Sequence, residues 1–133
     1  MKTRQVDKFR VKDYLTRAEE SLASMKNAYE NGRWSSCVIN AIQCGISSAD
    51  ALCIFKKGLR NASEQHAETI HLFSSIDSND EGIKKGANHL SFLISMKSDA
   101  QYGERLSTQK DAEQAMKHAE RLLELVKGRV PHS

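Results

Sequence analysis

The segment "WSSCVINAIQCGISSADALCIF", Trp34 to Phe55, carries one formally charged side chain, Asp50. A helix of that length without a polar face cannot rest against water, so other parts of the chain, or a second copy, must surround it. That requirement favours an all-α, antiparallel up-and-down bundle of four to five helices, with this segment at its centre or in a subunit interface. Composition agrees: one proline, Pro131, and 6% aromatic residues argue against a β-sandwich. The 133 residues fit a single domain able to bury a core without disulfides or metal, expected as a body over about 10–127 with a basic N-terminal arm and a short tail.

Periodicity predicts the remaining helices. Val11, Leu15, Ala18, Leu22, Met25 and Tyr29 form one stripe of a first helix from about Arg10 to Asn31, ended by Gly32. The second runs from Trp34 to Lys57 and stops at Gly58. A third begins after Asn61 or Ser63, because Asn61-x-x-Glu64 has the form of a capping box; His66, Ile70, Phe73 and Ile76 then share a face. "DSNDEG" is a loop, and a fourth helix spans Glu81 to Gly103 on Ile83, Ala87, Leu90 and Ile94. Thr108-x-x-Asp111 caps the fifth, whose inward residues are Ala112, Ala115, Ala119, Leu122 and Val126.

Function classes narrow by subtraction. The net charge of +3 permits an acidic partner such as RNA without demanding one. The opening "MKTRQVDKFRVK" reads as a solvated basic arm, not a signal peptide, and no apolar run reads as a membrane span. Cys37, Cys44 and Cys53 lack C-x-x-C spacing and read as small buried hydrophobes of a reducing cytoplasm. His71, His89 and His118 are scattered, so neither a metal nor another cofactor is expected.

The order of segments then carries a resemblance. "GRWSSCVINAIQCGISSADALCIFKKG" is followed by "HAETIHLF", "SMKSDAQYGERLS" and "DAEQAMKHAERLLELV". Over Val11 to Val126 the chain resembles the HEPN family of small helical bundles. The resemblance implies a homodimer, often beside a nucleotidyltransferase-like protein, and in many members a metal-independent ribonuclease or toxin built on Arg-x(4–6)-His. Arg60-Asn61-Ala62-Ser63-Glu64-Gln65-His66 fits that motif by spacing and by its polar second residue. The family's motif falls later in the chain, where Lys97 and Tyr102 stand in this sequence.

Each candidate therefore carries two readings. His66 is a structural histidine on an apolar stripe, or a neutral base. Arg60 is a solvated residue after a helix stop, or a phosphate contact. Asp50 faces a gap at the bundle surface, or belongs to a polar network reaching Arg60, His66, Lys97 or Tyr102. Two functions follow: a dimeric, non-catalytic or weakly catalytic module binding a nucleotidyltransferase-like protein, RNA or a nucleotide; or an endoribonuclease with Arg60 and His66 as the catalytic pair. Asp50, Asn61, Lys97 and Tyr102 are then the binding residues.

Overall fold

A computed structural model describes residues 2–103 and 105–131, the side chains of Gln101 and Tyr102 excepted. The uncharged segment is helix α2, Trp34–Lys57, and it lies at the centre. Around it pack α1 (Val11–Glu30), α3 (Ala67–Ser74), α4 (Glu81–Ser95), α5 (Lys97–Tyr102) and α6 (Gln109–Lys127). Val38, Ala41, Ile42, Ala49, Leu52 and Ile54 of α2 are fully buried. By length and composition α2 could cross a membrane, contrary to the reading of the sequence, but 72% of its most apolar stretch is buried inside the domain. One chain provides this cover, so the apolar character of α2 does not require a second copy.

The end and the middle of α2 are chemically specified. Gly58 adopts φ +68°, a left-handed value open to glycine at no steric cost, and its N–H donates to the Ile54 carbonyl. Ser48 sits mid-helix and fully buried because its hydroxyl donates to the Cys44 carbonyl at 2.7 Å. Cys37, Cys44 and Cys53 are free and buried, and burial pushes Cys37 up to about 11 and Cys44 to about 12, so both stay thiols.

The fifth helix of the sequence reading is α6, with its capping box formed: Thr108 Oγ1 accepts from Asp111 N–H, and Asp111 returns the bond to Thr108 N–H. All five of its expected inward residues are buried. The predicted fourth helix, in contrast, divides at Met96. Ser95 Oγ donates to the Phe92 carbonyl at 2.6 Å, and Met96 N–H turns to Leu93 instead of continuing the ladder. α4 is capped by Asp80, whose side chain accepts from Gly82 and Ile83 N–H and holds the Arg129 guanidinium through both oxygens.

Two elements are absent from the sequence reading. The basic arm is not simply solvated: Thr3–Gln5 is a strand, β1, paired antiparallel with β2, Leu59–Asn61. Val6 N–H to Gly58 O and Ala62 N–H to Lys2 O, both 2.9 Å, extend the ladder at either end. The result is a small two-stranded clasp beside an otherwise all-α bundle, immediately after the end of α2.

Candidate functional site

β2 carries Arg60 and Asn61 out of the α2 stop and into the turn that leads to α3. Asn61 does not cap a helix. Its Oδ1 accepts from Ser63 N–H at 2.9 Å, while Nδ2 donates to Gln65 O at 3.1 Å and to Thr69 Oγ1 at 3.0 Å. With its side chain spent on this Asx turn, the predicted capping box with Glu64 does not form and α3 begins only at Ala67. Asn61 and Thr69 are both buried, so the bond between them fixes the loop that carries His66 relative to the strand that carries Arg60.

Arg60, Asn61 and His66 line one cavity of about 200 Å³, together with Asp50, Thr69 and Arg4. Four of the six residues singled out in the sequence therefore converge. Arg60 Nη1 donates to the Asn61 carbonyl at 3.1 Å, whereas its Nε is buried with no hydrogen-bond partner. Asp50, on α2, is 8% exposed and its Oδ1 is likewise buried without one. Burial raises the Asp50 carboxyl from its usual 3.8 to about 7, against the opposing pull of Arg60 and Arg17. Asp50 thus shares a cavity and a charge interaction with Arg60 but is not held in the hydrogen-bonded network that the sequence suggested. A carboxyl raised that far keeps a protonated form well above the usual carboxylate range.

His66 is half-buried, and burial followed by the charge of Lys97 lowers its pKa. The imidazole is neutral at pH 7, the form that accepts a proton. Lys97, at the start of α5, acts on the site through this charge from beyond the cavity wall. Tyr102 ends α5, and its side chain lies outside the described residues.

Arg4 and Thr69 join the site unforeseen. Thr69 sits one turn past His66, a spacing that a buried-face count could have flagged. Arg4 belongs to a strand of three residues, too short for any hydrophobic period. The histidines are also less scattered than they read: His89 Nδ1 and His118 Nδ1 meet at 2.8 Å across α4 and α6, with Phe92 stacked on His118. Burial lowers both, helped at His89 by Arg121 and Lys117 and at His118 by His89, Lys117 and Arg121. Among the described residues no three His, Cys, Asp or Glu side chains gather as a metal site.

Residues 11–129 match the HEPN domain family. The crystal structure of ST0689, an archaeal HEPN homologue, superposes with a TM-score of 0.69 at 22% identity, covering 92% of this chain and 98% of that one. TT1696 from Thermus thermophilus is similar at a TM-score of 0.68 and 17% identity, covering 91% and 98%. No curated protein matches the chain.

Proposed function

The chain belongs to the HEPN domain family, and from that premise we propose that it binds RNA at the Arg60–His66 cavity and cleaves it there without a metal ion. The observation that carries this reading is the convergence of a guanidinium and a neutral imidazole, six residues apart in sequence, on one cavity. Arg60 holds the phosphate and offsets the charge that grows on its oxygens. His66 takes the proton of the ribose 2′-OH as that oxygen attacks phosphorus. The 2′-O–P bond forms, the P–O5′ bond breaks, and water supplies the proton to the leaving oxygen. The products are a 2′,3′-cyclic phosphate and a 5′-hydroxyl.

Incubating the protein with single-stranded RNA in a chelator tests the reading. RNA is expected to be cut and DNA, which lacks the 2′-OH, to stay intact. Arg60→Ala and His66→Ala should each lower the rate about 100-fold or more. RNA left whole by the wild-type protein refutes it.

A second reading is favoured by one observation beside the N-terminal half of α1. Phe9 is 66% exposed beside a groove of about 900 Å³ lined by Leu15 and Phe55 among lysines and glutamates. In this reading a second copy covers Phe9, and the dimer serves as a docking module for a nucleotidyltransferase-like protein.

A further inference from the structure

The β1–β2 clasp sets an arginine opposite an arginine. In the antiparallel register Thr3 faces Asn61, Arg4 faces Arg60 and Gln5 faces Leu59. Residues directly opposed across two strands project to the same side, and like charges in that position destabilise the pair. Both arginines line the same cavity, and Asp50 is the one acidic residue among its lining. Arg60 has a buried Nε without a hydrogen-bond partner, and Arg4 is exposed on the strand directly opposite it. Lys97 and Arg17 also act electrostatically on His66 and Asp50 respectively. The cavity therefore holds a surplus of donors and of positive charge. A small oxyanion would supply what is missing.

We infer that Arg4 and Arg60 form a two-guanidinium clamp for one tetrahedral phosphate group, the phosphodiester of an RNA strand or free phosphate; this rests on the RNA-directed reading of the cavity. Two planar forks approaching one phosphate from opposed strands engage different oxygens and hold it in one orientation. Size sets the rest of the ligand outside. About 200 Å³ is below the ~300–1,000 Å³ of pockets that enclose a whole small molecule. A phosphate enters, while the nucleoside stays outside the cavity. Arg4 is thus a binding residue, and the site is indifferent to base.

Inorganic phosphate titrated into the full-length protein at low salt, followed by amide chemical shifts, reads the clamp directly. Wild type should bind; Arg4→Gln and Arg60→Gln should each weaken binding about tenfold or more, with Arg4→Lys between. A wild-type protein blind to phosphate, or an Arg4→Gln variant that binds it normally, overturns the inference. The RNA arm separates the two claims. On oligo-A and oligo-U of equal length, Arg4→Gln should raise KM about tenfold and hold kcat within about twofold, equally for both bases. RNA cut equally well by wild type and Arg4→Gln sinks the clamp and spares the nuclease. Phosphate bound through both arginines with RNA left whole spares the clamp and sinks the nuclease.

Discussion

Asp50 is where chemistry and stability meet in one side chain. Its folded carboxyl titrates near 7 against 3.8 in the unfolded chain. A raised carboxyl favours folding below the unfolded value, and that advantage is lost as pH climbs from about 4 through 7. Replacing it by Asn removes the ionisation without changing shape. Asp50→Asn should match wild type in thermal melts near pH 4 and exceed it by on the order of 2–4 kcal/mol above pH 8. His66, His89 and His118 act with the opposite sign, since their lowered values withdraw stability as pH falls below about 6.5. The difference between the two profiles isolates Asp50, because the histidines are common to both proteins. Equal melts at pH 8 would mean the carboxyl is solvated. The sequence displayed Asp50, Arg60 and His66 as anomalies of charge and spacing. It could not display that they share a cavity, because that depends on Asn61 folding the intervening loop.

At the scale of elements, helices with a long period were legible and short segments were not. α2 and α6 read correctly because each combines many turns with a chemical stop, Gly58 in one case and the Thr108 capping box in the other. β1, β2 and the break at Met96 each depend on a few hydrogen bonds that no pattern of hydrophobicity encodes. The close approach of α3 and α4 was equally hidden. A methyl group at Gly86 of α4 would lie 2.8 Å from Phe73 Cζ and 2.9 Å from Cε1 of α3, and Phe73 is fully buried with nowhere to turn. Alanine gains about 1 kcal/mol over glycine in a helix, but such overpacking costs about 1–3 kcal/mol. Gly86→Ala should therefore lower the melting temperature by a few degrees, and Phe73→Leu should recover part of the loss in the double variant. A higher melting temperature for Gly86→Ala would disprove this packing.

For the whole molecule, the decisive point is that one chain suffices to cover α2. On the dimeric reading proposed above, self-association belongs to the surface around Phe9 and not to the core. Phe9→Glu should abolish dimers in sedimentation and leave helical circular dichroism and cooperative melting intact. A variant that loses helicity along with self-association would show that the fold needs its twin. The all-α architecture was readable because a greasy helix admits few solutions. The exposed Phe9 was not, because a lone phenylalanine in a basic arm looks like any other apolar residue.

The clasp has one consequence for how the site behaves on warming. A three-residue ladder between β1 and β2 opens at far lower free energy than the bundle behind it. Each opening carries Arg4 away and leaves Arg60 alone, so apparent phosphate affinity is scaled by the fraction of molecules with the ladder closed. Grip on the anion fades with temperature well before the helices melt.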